Sequence, residues 1–390
     1  MRRVSFFDTT LRDGEQAPAN ALGPDEKLEL ALGIESLGVD RIETGFPASS
    51  PSDFEATRLI AQHLTKARFT TFCRAVATDI ETAVKAGGTA RHQVQIASTG
   101  SDIHLKHKRR ITRAQAVAEV VDSIAVAREL GVEDVSVGIE DASRGEDDLL
   151  RELTERSVEA GASCLVVADT SGALTPEEYA GLIARFRAWA PAPVRIATHC
   201  HEDFGLSTAN ALAGLVAGAD EVQATLGGIG ERAGNTALEE IAALLAYKQD
   251  TTGLYSDIRL DAMYEVYGAL RGHIRLEEPR NKAIFGTYAF GTAAGLHQQG
   301  ILRNPATYEY VEPARFGRER SVLVGRHSGR SVLRHLVGEL GATVSDDELD
   351  KLYRIHIEER SDGDCEDIGV VKARLAADLA PAAAVAVAAG

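Results

Sequence analysis

The residues best placed to do chemistry lie in the stretch Ile196-Ala197-Thr198-His199-Cys200-His201-Glu202-Asp203. Alternate side chains of a β-strand share a face, which sets His199 and His201 about 7 Å apart along the chain on one side. Two imidazoles so placed can share one metal ion, and the same spacing serves equally for one core histidine and one loop cap. Other polar groups gather in short clusters at residues 8–16, 43–45, 140–141 and 169–170 and in the glycine-rich 227–235. Each cluster follows a short apolar or β-branched run.

Those runs read as strands near residues 4–7, 41–45, 69–73, 93–97, 135–139, 165–168, 194–199 and 221–225. Between them lie helical stretches at 25–37, 53–63, 113–130, 149–160, 176–189, 206–217 and 236–248, with apolar residues recurring every three or four positions. Gly38 and Gly131 stand just past helix ends, where left-handed caps belong, and Thr175-Pro176-Glu177-Glu178 reads as an N-cap followed by a proline and an acidic first turn. Eight repeats of strand and helix predict an α/β fold, a closed (β/α)8 TIM barrel over residues 1–250. An open doubly wound sheet is the rival, disfavoured because no GxGxxG turn follows the first strand. After residue 248 the rhythm breaks, with a helical, polar stretch at 251–280 and a Gly-, Asn- and aromatic-rich one at 281–330. Residues 331–379 are helical again around a polar interruption at 361–367. The expectation is a C-terminal linker and helical lid subdomains over 251–380 and a disordered tail at 381–390.

Composition narrows the class of function. A formal charge of −16 over 390 residues disfavours nucleic acid or an anionic membrane as a partner, because phosphate affinity rests on clustered Lys and Arg. The exception is the local cluster His104-Leu105-Lys106-His107-Lys108-Arg109-Arg110, readable as a solvated loop or as an attractor of CoA phosphates or an acidic substrate. Cys73, Cys164, Cys200 and Cys365 form no CxxC pair, so neither a disulfide framework nor a thiolate zinc site is suggested, and a cytoplasmic setting is expected. No apolar signal core follows Met1-Arg2-Arg3, and no run reaches the roughly 18 apolar residues a membrane span needs.

A barrel of this kind places its site at the C-terminal ends of the strands. Closure makes the first, seventh and eighth strands neighbours, so Asp13, His199, His201 and Asn235 can converge on one divalent cation. Mixed nitrogen and oxygen donors leave Mg²⁺, Mn²⁺ and Zn²⁺ all open.

Three segments carry a family resemblance. Phe-Phe-Asp-Thr-Thr-Leu-Arg-Asp-Gly-Glu-Gln (6–16), His-Cys-His-Glu-Asp-Phe-Gly-Leu (199–206) and Gly-Ile-Gly-Glu-Arg-Ala-Gly-Asn (228–235) resemble the signature segments of the isopropylmalate synthase and homocitrate synthase family. The resemblance implies a metal-dependent barrel that condenses acetyl-CoA with a 2-oxo acid. Asp13, His199 and His201, with Asn235 beside them, would hold the metal, and the ion would chelate the 2-oxo acid and act as a Lewis acid. Arg12 would face the keto oxygen and stabilise the alkoxide. Glu140 with His297, the latter from the lid segment Gly295-Leu296-His297-Gln298-Gln299-Gly300, would remove the acetyl proton, with Tyr308 a candidate for the acid step. Gln16, Glu43, Arg74, Gly138 and Thr170 are candidates for substrate binding. Gly228, Gly230, Glu231, Arg232 and Gly234 would meet acetyl-CoA, although the glycines also suit a tight turn. The family further implies a homodimer with the lid contributed across the interface.

The choice of 2-oxo acid is mixed. Glu43-Thr44-Gly45-Phe46-Pro47 resembles isopropylmalate synthases. Gly138-Ile139-Glu140-Asp141-Ala142 and the 321–329 segment, including Arg326-His327-Ser328-Gly329, resemble homocitrate synthases. Only about 50 residues follow the lid, short of the leucine-sensing domain usual in isopropylmalate synthases, whereas the Arg of lysine-pathway homocitrate synthases is missing near Ser136. The reading favours a homocitrate-synthase-like enzyme acting on 2-oxoglutarate or a phosphono or phosphino analogue. The alternatives are 2-isopropylmalate synthase using 2-oxoisovalerate and an acyl-CoA lyase of the same superfamily.

Overall fold

A computed structural model describes residues 1–359 and 365–379; the expected tail at 381–390 lies outside the described residues. Two units are distinguished, Met1–Glu277 and Glu278–Gly390. The first contains a closed barrel of eight parallel strands: β1 (Ser5–Asp8), β2 (Arg41–Glu43), β3 (Arg68–Arg74), β4 (His92–Thr99), β5 (Asp134–Glu140), β6 (Cys164–Asp169), β7 (Arg195–Cys200) and β8 (Glu221–Ala224). Closure is made by β1, whose Ser5 pairs with Glu221 of β8 and whose Phe7 pairs with Arg41 of β2.

Local chemistry accounts for the helices that return the chain between strands. Gly38 and Gly131 adopt φ of 87° and 85° just past the helices Pro24–Ser36 and Arg113–Glu129, a left-handed conformation that costs glycine little. The Thr175 hydroxyl accepts from the Glu178 amide at the start of Pro176–Trp189, closing a capping box. The helix Ala77–Gly87 had no counterpart among the expected helices. The basic segment is not an open loop: it winds as a short helix Asp102–His104 continued by a π turn over Leu105–Arg109, with Leu105 buried.

The barrel interior is unusually polar. At the N-terminal end Arg41 bonds Glu221 at 2.7 Å, Arg195 bonds Asp134 at 2.7 Å, and Arg41 reaches Asp134 at 3.3 Å. This ion network closes the floor. Above it Gln95 and Gln223 are 3% and 2% exposed, and Glu43 is fully buried.

The second unit holds helices Gly295–Arg303, Arg330–Glu339, Asp346–Tyr353 and Ile368–Leu379. They accompany a small sheet in which Ser321–Val324 pairs with Gly291–Thr292 and Glu366–Asp367. Its apolar core gathers Val324, Val332, Leu333, Leu336, Ile357 and Leu375. No described helix is long and apolar enough to cross a membrane.

Candidate active site

The C-terminal mouth of the barrel opens into a cavity of about 900 Å³. At its base, one ligand atom from each of Asp13, His199 and His201 lies within 4.8 Å of the others, and all three residues are buried. The two imidazole Nε2 atoms are 3.3 Å apart, and His199 Nε2 is 3.6 Å from Asp13 Oδ2. The spacing of two along β7 thus does set both rings on one face. Burial lowers the basicity of both, taking His199 to about 4. Burial alone would raise the Asp13 carboxyl; the Arg12 charge first, then the neighbouring imidazoles, which are protonated only in acid, and the bond from Asn235 hold it well below the ordinary carboxylate range. Two neutral imidazoles and one carboxylate, converging in a buried pocket, are a donor set that fits a divalent cation. Asn235 Nδ2 donates to Asp13 Oδ1 at 2.8 Å, orienting that carboxylate.

Arg12 lies beside this group, its Nη1 donating to Asp13 at 2.8 Å and, at 3.4 Å, to Gln16. Its Nε donates to Glu43 at 2.8 Å, and its guanidinium stacks over Phe72 at 4.8 Å. Glu43 is not on the cavity wall. It sits fully buried behind Arg12, accepting also from Thr9 at 2.5 Å and Gln95 at 3.1 Å, and burial pushes its carboxyl above the usual value despite Arg12. The expected substrate contact at Glu43 is therefore replaced by a supporting one.

The remaining expected residues fall into three places. Gln16, Arg74, Gly138, Glu140 and Thr170 all line the cavity. Glu140 accepts from Lys108 Nζ at 2.5 and 2.7 Å, Arg74 pairs with Asp79 at 2.8 Å, and the Thr170 hydroxyl accepts from the Asp141 amide at 2.8 Å. A Cβ added at Gly138 would meet Gln95 and the Ile96 carbonyl at 3.9 Å, ordinary van der Waals contact, so a small side chain fits there without displacing its neighbours.

Of the glycine-rich segment, Glu231 and Arg232 line the cavity, with Arg232 bonded to Asp203 at 2.7 Å. Gly228, Gly230 and Gly234 instead build the turn. Gly230 has φ of 156°, and a Cβ there would stand 2.0 Å from Asn235 Nδ2, so only glycine lets Asn235 reach Asp13.

His297 and Tyr308 belong to the second unit, where their rings are in contact, tilted by 37° with centroids 4.3 Å apart. Cys200 is buried against Tyr179. Sequence reasoning passed over Gln95 and Gln223, whose signal was a polar side chain at an inward strand position in Gln93-Val94-Gln95 and Glu221-Val222-Gln223.

Comparison with known proteins agrees with this arrangement. Residues 3–267 match the HMGL-like family, and residues 284–362 match the homocitrate synthase post-HMGL domain-like family. The 2-isopropylmalate synthase of Shouchella clausii (strain KSM-K16) is 40% identical over 360 residues, covering 90% of this chain and 69% of that protein. That of Xanthomonas axonopodis pv. citri (strain 306) is 39% identical over 355 residues, covering 90% and 68%. Among solved structures, the HMG-CoA lyase from Brucella melitensis superposes with a TM-score of 0.60 at 19% identity, covering 71% of this chain and all of that one. The carboxyl transferase domain of Rhizobium etli pyruvate carboxylase with pyruvate gives 0.55 at 18% identity over 73% and 49%. Both are likenesses of fold. The motifs lean toward the homocitrate side, whereas the curated relatives, at about 40% identity, carry the name 2-isopropylmalate synthase and fit that alternative better. On the strength of the barrel, the buried Asp-His-His group and these matches, the chain belongs to the HMGL-like family, in the group of isopropylmalate and homocitrate synthases.

Proposed function

We propose that the chain is an acyltransferase that condenses acetyl-CoA with a 2-oxo acid, and that the preferred acid is 2-oxoisovalerate, giving 2-isopropylmalate and CoA. The relatives' name supports the reaction, and the state of the cavity's cations carries the choice of acid. Each cation on the cavity wall already has a carboxylate partner: Arg12 with Asp13 and Glu43, Arg74 with Asp79, Lys108 with Glu140, Arg109 with Glu119 and Arg232 with Asp203. A distal carboxylate on the substrate would have to share a cation that a protein carboxylate already neutralises. An isopropyl group instead meets Ala97, Val166, Ala168 and the space at Gly138.

In this reading Asp13, His199 and His201 would hold a divalent ion, which would supply Lewis-acid polarisation of the keto group. Arg12, clamped by Asp13 and Glu43, stabilises negative charge developing on the keto oxygen. Glu140, held by Lys108, takes a proton from the acetyl methyl. Acetyl-CoA is proposed to enter past Glu231 and Arg232.

The test is free-thiol release from acetyl-CoA with 2-oxoisovalerate, pyruvate and 2-oxoglutarate, with and without EDTA. The expected result is greatest release with 2-oxoisovalerate, abolished by EDTA and restored by Mn²⁺. Dominance of 2-oxoglutarate would restore the acidic-substrate reading. Cleavage of a hydroxyacyl-CoA, with no acid stimulating thiol release, would replace the synthase by a lyase. A proton-transfer role for His297 and Tyr308 predicts that His297→Ala keeps 2-oxo acid binding and loses thiol release.

A further inference from the structure

From the hydrogen-bond geometry we infer that Gln223 and Gln95 are positioning residues. They form a buried relay that carries the polarity of Glu43 across the barrel and fixes which nitrogen of His199 is free for the metal. The inference rests on Asp13, His199 and His201 being the metal site; it is independent of the 2-oxo acid.

The relay crosses four strands. His199 Nδ1 lies 2.9 Å from Gln223 Oε1, Gln223 Nε2 donates to Gln95 Oε1 at 2.9 Å, and Gln95 Nε2 donates to Glu43 Oε1 at 3.1 Å. The other Glu43 oxygen accepts from Thr9 Oγ1 at 2.5 Å and Arg12 Nε at 2.8 Å. Arg12 in turn donates to Asp13, which returns the path to the metal group. No member is more than 9% exposed, and Glu43, Thr9, Gln223 and Gln95 are 0%, 1%, 2% and 3% exposed, so the relay is held by its own members.

An amide can face either way, and here one end decides both amides. With Arg12 and Thr9 donating to it, Glu43 is an acceptor, so Gln95 must present its NH₂ group. The Gln95 carbonyl then faces Gln223, whose NH₂ must turn toward it. The Gln223 carbonyl is left facing His199, and only an Nδ1–H can donate to it. The Nε2 lone pair is therefore free at the corner shared with Asp13 and His201.

Reversing the amides would set the Gln95 carbonyl against the Glu43 carboxylate at hydrogen-bond distance. The relay also opposes a competing pull. The Asp13 carboxylate, 3.6 Å from His199 Nε2, would otherwise draw the imidazole proton to that atom and mask the ligand lone pair. Partners that set the tautomer of a ligating histidine are typically worth about 10- to 100-fold in metal affinity. Gln95 acts one residue further out, through Gln223.

The experiment reads metal affinity and tautomer, with no substrate present. Mn²⁺ alone is titrated calorimetrically into the metal-free full chain, and the tautomer of His199 is read from ¹⁵N-histidine spectra of that protein at pH 8. In the wild type, Nδ1 of His199 is expected to be the protonated nitrogen. Gln95→Met, close in shape and without polar atoms, is expected to shift the proton to Nε2 and to weaken Mn²⁺ binding roughly 10-fold. In a Gln223→Glu background the carboxylate accepts Nδ1–H whichever way it turns, so adding Gln95→Met there should cost no affinity. Equal losses in the two backgrounds would mean that Gln95 only packs, and would overturn the relay. An unchanged His199 tautomer in Gln95→Met would overturn it as well. Failure of the wild type to bind Mn²⁺ would refute the metal-site reading itself, whereas the tautomer comparison judges the relay without any metal.

Discussion

Arg12 separates the structural and chemical demands of the site. Its guanidinium is 10% exposed and bridges two carboxylates, with Nε on Glu43 at 2.8 Å and Nη1 on Asp13 at 2.8 Å. Removing one partner of a buried ion pair costs about 3–5 kcal/mol because the other charge is stranded. Arg12→Ala leaves the fully buried Glu43 with only Thr9 and Gln95 as donors and should lose about that much stability. Glu43→Gln in the same background removes the stranded charge and should recover most of the loss.

Arg12→Lys keeps a positive charge but cannot span both carboxylates with a planar fork. Its stability should fall by less than that of Arg12→Ala. Loss of an oriented donor at a developing oxyanion costs about 10²–10³ in kcat, so Arg12→Lys should fall in that range with little change in KM for the 2-oxo acid. Urea unfolding and thiol-release kinetics on the three variants check both parts. A kcat for Arg12→Lys within threefold of wild type would refute the oxyanion role. Equal stability of Arg12→Ala and Arg12→Ala/Glu43→Gln would refute the stranded-charge account.

Other perturbations have equally definite outcomes. Gly138→Ser fits without displacing backbone, since a Cβ there meets nothing within 3.9 Å; it should leave the urea midpoint unchanged and shift kcat/KM toward smaller 2-oxo acids by about 10-fold or more. An unchanged preference across pyruvate, 2-oxobutyrate and 2-oxoisovalerate would remove Gly138 from the substrate wall. Gly230→Ala forces a Cβ against Asn235 at a φ of 156°, and should weaken Mn²⁺ binding through the loss of the bond to Asp13; affinity equal to wild type would contradict that path. His92, stacked on Phe69 at 4.5 Å, is pushed by burial from 6.5 to about 4 in the folded chain, so the unfolded chain binds its proton more readily. Its contribution is complete above pH 6.5 and declines as pH falls toward 4, by about 3 kcal/mol in total. In EDTA, His92→Gln should lose less stability between pH 7 and pH 5 than wild type, and parallel losses would refute the assignment.

The eight strands, the caps at Gly38, Gly131 and Thr175 and the placement of His199 and His201 on one strand face were legible in the sequence, because each depends on periods and turns spanning a few residues. Neighbourhood of Asp13 with that pair also followed, once eight repeats implied closure between the first and eighth strands. What only the tertiary structure decided are pairings across the barrel. Gln223 and Gln95 stand 128 residues apart in the chain, and nothing local distinguishes such a glutamine from any other buried polar residue. The same holds for the cations. The cluster at 104–110 reads equally as a solvated loop or as an attractor of anions, and the fold decides its pairing: Lys108 is held by Glu140 from β5 and Arg109 by Glu119, because the short helix and π turn after β4 bring them there. Composition records how many charges a chain carries, and the closed barrel determines which of them remain available to a ligand.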